Sequence, residues 1–292
     1  MQDPHVAAMT DALLIHGGVG WAEPPSFDMD ALISGVDMEK GAVTAVIQAV
    51  SILEDDPRFN AGTGSIPRID GSIQMDAAVM ANGNFGAVIG IEKVKNPVQV
   101  ALSVMNDSPH NVLSGDGAIR FARMLGFEEY DPMTPETRKR LEKLISDVKA
   151  GNPENNPRLA SFSSRIDPKK LIGSDTVGAV SRIGNRFAAA VSTGGVFPMM
   201  RGRVGDVPFI GCGFYAGEKG AAVATGIGEE IMKRLLCYSI YSRMGKEDLE
   251  DILRDEISAF GENVAGVIAI TLDQEASYAN RNMAVGKRLK HP

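Results

Sequence analysis

Residues 175–195 have the sequence DTVGAVSRIGNRFAAAVSTGG, which is the strongest indication of the fold. Two apolar runs rich in alanine and β-branched residues flank the pair Gly184-Asn185, and that pair is a typical turn signal. A pattern of this kind predicts a buried β-hairpin whose first strand begins abruptly at Thr176.

The sequence before Thr176 has a different character over about residues 131–175. One charged amphipathic helix opens this segment, with Thr134 predicted as its N-cap and Pro135 as its first helical residue. The remainder is polar and contains three prolines, which favours an exposed, mobile linker over a packed element. Thr176 is therefore expected at the junction between a mobile linker and a buried strand.

The rest of the chain alternates between strand-like and helix-like patterns on both sides of this junction. Strands are predicted at 11–15, at 73–79 and 85–92 around the hairpin signal Asn82-Gly83, and as a final pair within 264–279. Helices are predicted at about 31–54, 97–105, 115–125, 217–242 and 247–260. This order predicts one α/β domain over residues 1–292, made of two halves whose central sheets are covered by helices.

The bulk composition disfavours several classes of protein. A net charge of −7 argues against a nucleic-acid partner, because a phosphate-binding surface needs clustered lysine and arginine. No run reaches the roughly 20 apolar residues of a membrane span, and the N-terminus lacks the basic region of a signal peptide. The two cysteines, Cys212 and Cys237, have apolar neighbours and are expected to be core thiols. Such sparing use of cysteine fits a cytoplasmic protein.

The scarcity of histidine narrows the chemistry that the chain can perform. The sequence has four histidines and no HExxH, CxxC, Walker A or GxSxG motif, so a catalytic zinc site and a serine triad are disfavoured. His16, which follows an apolar strand, is expected to be a hydrogen-bonded structural residue. A threonine hydroxyl can instead be activated by its own α-amino group, of reference pKa about 8, once the threonine is a chain terminus. Position makes Thr176 a candidate, although threonine is also common at strand starts.

Seven short motifs occur along the chain. They are His16–Gly20 (HGGVG), Phe59–Ser65 (FNAGTGS), Met75–Met80 (MDAAVM), Asp175–Val180 (DTVGAV), Ser192–Gly195 (STGG), Gly202–Asp206 (GRVGD) and Ala224–Glu229 (ATGIGE). In this order the motifs resemble the plant-type asparaginase/isoaspartyl peptidase family, which also includes glycosylasparaginases and threonine aspartases. The resemblance covers about residues 12–285.

The resemblance implies a fold, a maturation step and a reaction. The fold is the four-layer αββα sandwich of the N-terminal-nucleophile hydrolases. Autoproteolysis between Asp175 and Thr176 would give an α chain of residues 1–175 and a β chain of residues 176–292, expected to assemble as a homodimer of αβ units. The implied reaction is the hydrolysis of L-asparagine and β-aspartyl peptides, small substrates from which it releases L-aspartate.

The resemblance also assigns catalytic roles. Thr176 attacks the side-chain amide carbon, and Thr193 hydrogen-bonds this nucleophile and tunes it. Thr225 and the N–H of Gly226 form the oxyanion hole, which suits a glycine because its backbone can approach a ligand closely. Asn60 helps to order the site. No catalytic cofactor is implied.

Thr225 and Gly226 thereby also bind the substrate, and two further residues are assigned to its α-carbon end. Arg203 pairs with the α-carboxylate, because a guanidinium is a planar fork that matches a carboxylate. Asp206 supplies a negative charge for the α-ammonium. The alternative interpretation of Arg203 and Asp206 is a surface ion pair.

A further feature implied by the resemblance is a loop whose backbone carbonyls hold a structural sodium ion. Carbonyl oxygens are suitable ligands for such a hard cation. The loop residues are Leu53, Glu54, Asp56, Phe59, Ala61 and Thr63.

Two alternative functions stay open. A glycosylasparaginase or a threonine aspartase would have the same fold, although Asp206 argues against an aspartase because a mid-chain aspartate has no free ammonium to pair. The other alternative is an uncleaved, catalytically silent binding protein, because Ser174-Asp175 stands where the family often has Gly or His-Asp before its nucleophile. The segment Val196–Met200 is more apolar than is usual in the family, which leaves the substrate preference open.

Overall fold

The computed structural model describes residues 10–149 and 176–290. Asp175 and most of the expected linker lie outside the described residues. Among the helices that are described, none has the length and hydrophobicity needed to cross a lipid bilayer.

Helices and strands alternate along the described parts of the chain. The helices are α1 (Met29–Leu32), α2 (Ala42–Asp55), α3 (Pro97–Asp107), α4 (Gly115–Met124), α5 (Pro135–Lys149), α6 (Gly228–Arg234), α7 (Leu236–Arg243) and α8 (Leu249–Ser258). The strands are β1 (Asp11–Val19), β2 (Met75–Ala81), β3 (Asn84–Ile91), β4 (Val112–Ser114), β5 (Val177–Ile183), β6 (Arg186–Thr193), β7 (Phe214–Gly217), β8 (Gly220–Gly226), β9 (Ala265–Thr271), β10 (Glu275–Ala279) and β11 (Met283–Lys290). The chain is thus a mixed α/β protein, as predicted.

The strands form two sheets. The larger sheet has seven strands in the order β11-β1-β5-β6-β2-β3-β4, and the smaller has four in the order β10-β9-β8-β7. Neighbouring strands are antiparallel except β3 and β4, which are parallel. In the larger sheet β5 pairs with β1 and β6 pairs with β2, so strands from before and after Thr176 share one hydrogen-bonded sheet.

Three apolar clusters connect the sheets and helices. The first combines side chains of both sheets, among them Val191 of β6 and Phe214 of β7. The second joins the larger sheet to α1–α4, and the third joins the smaller sheet to α6–α8. Each large side chain that is fully buried in such a cluster contributes about 1.5–3 kcal/mol to folding. Cys212 and Cys237 are both buried, as expected of core thiols, and burial raises the pKa of Cys212 to about 11.

The hairpins signalled by the sequence are confirmed. Asn82 and Gly83 both have positive φ angles, of 52° and 76°, and they join β2 to β3 as a type I′ turn would. Gly184 and Asn185 join β5 to β6, whose residues pair in register from Val177 opposite Ser192 onward. The linker helix is α5, and the N–H of Thr137 donates to Thr134 Oγ1 at 3.2 Å, the contact expected of an N-cap.

Two helix predictions are wrong in part. The helix predicted over about 31–54 is two helices, α1 and α2, separated by a turn that ends at Gly41 with φ of 97°. The helix predicted over about 217–242 begins as the hairpin β7–β8, and its remainder is broken by Leu235 in a left-handed conformation between α6 and α7. Alanine favours helices, but β8 is fully buried between β7 and β9, and this tertiary pairing overrides the local preference. Strands β4 and β11 were not predicted.

Candidate active site

Thr176 lies directly before β5, an interior strand of the larger sheet. Thr176 is only 3% exposed, and its Oγ1 donates a hydrogen bond to Thr193 Oγ1 at 3.2 Å. Thr193 ends β6, and the pairing of Val177 with Ser192 brings the two threonines side by side. Thr193 Oγ1 also accepts from the N–H of Gly195 at 2.9 Å, which fixes the orientation of this hydroxyl. The structure thus brings the predicted nucleophile and its predicted partner together.

Asn60 connects the loop after α2 to the turn that follows Thr193. Its Nδ2 donates to the carbonyl of Gly195 at 2.6 Å, and its Oδ1 accepts from the N–H of Ile66 at 2.9 Å. Its backbone carbonyl accepts from the N–H of Gly194 at 2.8 Å. A Cβ at position 194 would collide with Asn60 Oδ1, so this approach requires glycine. These contacts are of the kind expected for a residue that orders the site.

Arg203 forms an ion pair with Glu229, a residue to which the sequence assigned no role. Its Nε and Nη2 donate to the two oxygens of Glu229 at 2.9 and 2.8 Å, in the bidentate geometry of an arginine–carboxylate pair. Partial burial acts to raise the pKa of Glu229, but the hydrogen bonds and charge of Arg203 lower it overall. The carboxylate partner of Arg203 is therefore Glu229 of α6 rather than Asp206.

Asp206 is a buried carboxyl group beside the first turn of α6. It is 4% exposed, and a Cβ on Gly228 would lie 2.7 Å from its Oδ1. Burial raises its pKa to about 7; the charge of Arg203 opposes this shift, and the carboxylates of Glu229 and Asp76 add to it. Oδ2 of Asp206 has no hydrogen-bond partner within the described part of the chain. A buried acceptor without a donor is unfavourable, and a cationic donor such as an ammonium group would satisfy it.

Thr225 and Gly226 form the end of β8, in the smaller sheet. Thr225 is fully buried, and Gly226 has a φ of 147°. Gly178 of β5 packs against Val223 of β8, because a Cβ on Gly178 would lie 3.0 Å from Val223 Cγ2. The two strands are therefore in contact two residues from Thr176 on one side and two residues from Thr225 on the other.

His16 has the structural role that its position indicated. The side chain is fully buried in β1, and its Nδ1 accepts from the N–H of Gly18 at 3.4 Å. Burial lowers the pKa of His16 to about 3, and the nearby backbone of Thr176 opposes this shift. Nε2 of His16 has no hydrogen-bond partner among the described residues. The imidazole is therefore neutral near pH 7 and too weak a base to activate a hydroxyl there.

Three charged residues near the site were missed. Arg68 is 1% exposed and donates to the carbonyl of Gly194 at 2.9 Å. Asp76 lies opposite Thr193 in the β2–β6 ladder, and burial raises its pKa to about 6 while a hydrogen bond from Gly90 N–H opposes the shift. The third is Glu229. Asp76 and Glu229 stand inside the recognised motifs, so their position was a usable signal; Arg68 stands in a polar stretch typical of a surface turn.

The loop assigned to a sodium ion follows the C-terminus of α2. The carbonyls of Leu53 and Glu54 belong to the last turn of the helix, where backbone oxygens lack intrahelical partners and carry partial negative charge. The loop closes on itself, because the N–H of Thr63 donates to the Glu54 carbonyl at 2.7 Å. Carbonyl oxygens at the negative end of a helix are suitable ligands for a hard cation, and those of Glu54 and Asp56 also accept from the N–H groups of Thr63 and Phe59. Over residues 10–149 and 176–290, no group of three His, Cys, Asp or Glu side chains is arranged to hold a metal.

Comparison with known proteins identifies similar sequences over almost the whole chain. A family model described as Asparaginase matches residues 29–286. The plant-type L-asparaginase of Pyrococcus furiosus is 39% identical, over 96% of this chain and 94% of its own length. The isoaspartyl peptidase of Escherichia coli is 35% identical over 91% and 88%, and the isoaspartyl peptidase/L-asparaginase of Danio rerio is 34% identical over 94% and 89%.

Proposed function

Because this chain belongs to the asparaginase family, we propose that it hydrolyses the side-chain amide of L-asparagine and the β-aspartyl bond of isoaspartyl peptides. The observation that carries the proposal is the pair of buried threonine hydroxyls, Thr176 and Thr193, 3.2 Å apart at the start of β5. The names of the relatives in both activity classes support this choice of substrates.

Maturation precedes catalysis in this proposal. Thr176 Oγ1 attacks the carbonyl carbon of Asp175, the acyl group moves from nitrogen to oxygen, and water hydrolyses the ester. The products are the carboxylate of Asp175 and a free α-amino group on Thr176. This amine is the base that histidine does not supply, since the neutral amine has a reference pKa of about 8 for its conjugate acid.

The free amine then supports hydrolysis in two steps. As Thr176 Oγ1 attacks the amide carbon, the amine takes the hydroxyl proton, and Thr225 with the N–H of Gly226 stabilises the oxyanion. The proton passes to the leaving nitrogen, the C–N bond breaks, and ammonia or the α-amine of a peptide leaves. Water attacks the resulting ester of Thr176, giving up its proton through the same amine, and L-aspartate is released with the hydroxyl restored.

Arg203 and Asp206 bind the two charged groups on the α-carbon of the substrate. The Arg203 guanidinium, oriented by Glu229, binds the α-carboxylate through the donors that remain available in its fork. The α-ammonium pairs with Asp206, whose Oδ2 lacks a donor among the described residues. An ammonium near Asp206 favours its ionised form and lowers its pKa from about 7.

The proposal also covers the architecture, assembly and location of the molecule. We infer a four-layer αββα sandwich of the N-terminal-nucleophile type. One apolar cluster between the two sheets and one between each sheet and its helices support this arrangement. We also propose a single domain cut into chains 1–175 and 176–292, a structural sodium ion at the loop after α2, a homodimer of αβ units and a cytoplasmic location.

The deciding experiment is mass spectrometry of the purified protein, followed by an ammonia assay on L-asparagine and an amino-acid assay on a β-aspartyl dipeptide. We expect fragments of about 175 and 117 residues, since cleavage before Thr176 divides the 292 residues there. Thr176→Ala should stay full length and release no product. A matched control is Thr44→Ala, because Thr44 lies on α2 and its hydroxyl donates to the carbonyl of Lys40 in the preceding turn.

Two results would contradict the proposal. Hydrolysis by a Thr176→Ala variant would exclude the mechanism. A wild-type protein that stays full length and inactive after long incubation would support the uncleaved binding protein instead.

A further inference from the structure

Arg68 is a fully buried cation next to the candidate active site. Its side chain is 1% exposed, and it points into the loop 194–203, which joins the Thr193 turn to Arg203. Backbone contacts also join the two segments, since the N–H of Ile69 donates to the carbonyl of Met199 at 3.0 Å. The guanidinium is therefore enclosed by the loop that runs from the turn after Thr193 to Arg203.

The guanidinium contacts both ends of that loop. Nη1 donates to the carbonyl of Gly194 at 2.9 Å, and Nη2 makes a longer contact of 3.5 Å to the carbonyl of Arg203. Between these ends, Met199 Sδ also lies against Nη1. The loop wraps tightly, because a Cβ on Gly195 would lie 2.6 Å from the same nitrogen. A single planar group thus contacts the residue after Thr193 and the residue assigned to the substrate carboxylate.

We propose that Arg68 is a positioning residue that holds Arg203 at a fixed place relative to the nucleophile pair, and so sets the affinity for substrates with an α-carboxylate. This inference rests on the proposed function, because it takes Arg203 as the carboxylate-binding residue. Arg68 itself touches neither the substrate nor the reacting atoms.

The chemistry of the side chain suits this role. A guanidinium is rigid and planar and presents several donors at fixed angles, whereas a lysine ammonium is a single point on a flexible stem. Burial disfavours the charge of Arg68, which Asp76 stabilises and Arg203 opposes. The charge of Asp76 and the carbonyl oxygens that the guanidinium contacts compensate for this burial.

Arg201 offers a matched control on the same loop. Its side chain is 51% exposed, and it pairs with Glu92 and, at 3.7 Å, with Asp70 at the surface. Arg201→Met removes a positive charge from the same loop, and Arg201→Lys keeps the charge but changes its shape. In neither variant is a contact of Arg68 with Gly194 or Arg203 removed.

The test compares two competitive inhibitors that differ by one group. L-Aspartate carries the α-carboxylate, and β-alanine is the same molecule without it. Arg68→Lys, Arg68→Met, Arg201→Lys and Arg201→Met are purified in cleaved form, and kcat and KM for L-asparagine are measured with both inhibition constants. For Arg68→Lys we expect KM and the inhibition constant of L-aspartate to rise about tenfold, with that of β-alanine changed less than about twofold. Arg68→Met should show a larger rise, and both Arg201 variants should stay within about twofold of wild type.

Several outcomes would overturn the inference. If L-aspartate and β-alanine weaken equally, or if neither changes in a folded Arg68→Lys enzyme, Arg68 does not act through Arg203. Failure of both Arg68 variants to mature, with the Arg201 variants mature, would also contradict it, because a positioning residue leaves a folded and cleaved enzyme. A wild-type protein that neither hydrolyses L-asparagine nor binds L-aspartate would instead refute the proposed function.

Discussion

Among single residues, Asp206 has the clearest energetic consequence. The carboxyl group is buried, and its pKa is raised from 3.8 to about 7 in the folded protein. Between these two pH values the folded state binds a proton that the unfolded state has released. Stability from this group is therefore present at low pH and lost as the pH rises through the folded pKa. The site proposed to bind an ammonium group thus has a cost in stability when it is empty.

The prediction concerns Asp206→Asn in a Thr176→Ala background, where the chain stays in one piece. The free energy of unfolding of Asp206→Asn relative to its parent should increase between about pH 4 and 7, by at most about 1.4 kcal/mol per pH unit, and level off above. Urea unfolding of both proteins across this pH range, at constant protein concentration, measures the difference in the free energy of unfolding. The contribution from His16 occurs in both proteins and cancels in the difference.

Asp37→Asn is the control with the opposite sign. Asp37 is exposed at the surface, and the hydrogen bond from Lys40 lowers its pKa. Its small contribution is present above the unfolded pKa and lost on acidification, so Asp37→Asn should not gain stability as the pH rises. A flat difference for Asp206→Asn would mean that Asp206 is ionised in the folded protein throughout this range.

The residues of the site were predictable to different degrees. Thr176 and Thr193 stand in short motifs, and their pairing follows from one hairpin in register. Arg68 was missed because IPRIDGS has the composition of a surface turn, and only the tertiary structure buries the guanidinium. Glu229 was missed as a partner because 25 residues separate it from Arg203, and nothing local relates the two.

Among the secondary-structure elements, β8 has an end at which an added Cβ has no room. Gly226 has a φ of 147° and lies so close to the carbonyl of Val264 that a Cβ would overlap with it. Alanine at this position therefore needs both an unfavourable backbone conformation and a shift of β8 away from β9. The same shift would move the N–H proposed to stabilise the oxyanion.

We predict that Gly226→Ala lowers kcat by about 100-fold or more, because a displaced donor no longer meets the developing negative charge. Steady-state kinetics on L-asparagine measures this loss. The control is Gly245→Ala, at a glycine with φ of 77° and no atom within 4 Å of an added Cβ. That variant has the conformational strain alone, so it should lose about 1 kcal/mol of stability and keep its kcat. Equal kcat values for the two variants would remove Gly226 from the oxyanion hole.

The elements themselves were predictable where the local signal and the tertiary environment agree. The hairpins at Asn82-Gly83 and Gly184-Asn185 were found because their turns carry their own signals. Strand β8 was taken for a helix because GAAVATG has helix-favouring alanines, and its strand conformation comes from pairing with β7 and β9. The β11 strand was missed because MAVGKRLK is partly exposed at a sheet edge and lacks a continuous apolar run.

At the scale of the whole molecule, the parts before and after Thr176 are interleaved. In the larger sheet, β1 lies between β11 and β5, and β6 lies between β5 and β2. A cut before Thr176 therefore leaves two chains that share backbone hydrogen bonds along three strand pairs. Arg182 adds a further connection, since its side chain donates to the carbonyl of Thr10 at 2.9 Å.

We predict that the two fragments stay associated in native buffer and separate only on unfolding. Size-exclusion chromatography with light scattering should give the same native mass for the cleaved wild type and for uncleaved Thr176→Ala. A denaturing gel of the same samples should show two bands and one band, respectively. Separation of the fragments without denaturant would contradict the shared sheet.

The position of β11 has a consequence for when the molecule becomes active. Thr176 is held at the start of β5, whose neighbour β1 has β11, at Met283–Lys290, as its other neighbour. A nascent chain on the ribosome exposes Thr176 well before it can supply that last strand. If the chain cuts itself before Thr176, as proposed, and the cut needs the assembled sheet, the cut works as a checkpoint on synthesis. A chain that stops before β11 then keeps its threonine blocked, and only a chain that contains β11 acquires the free amine.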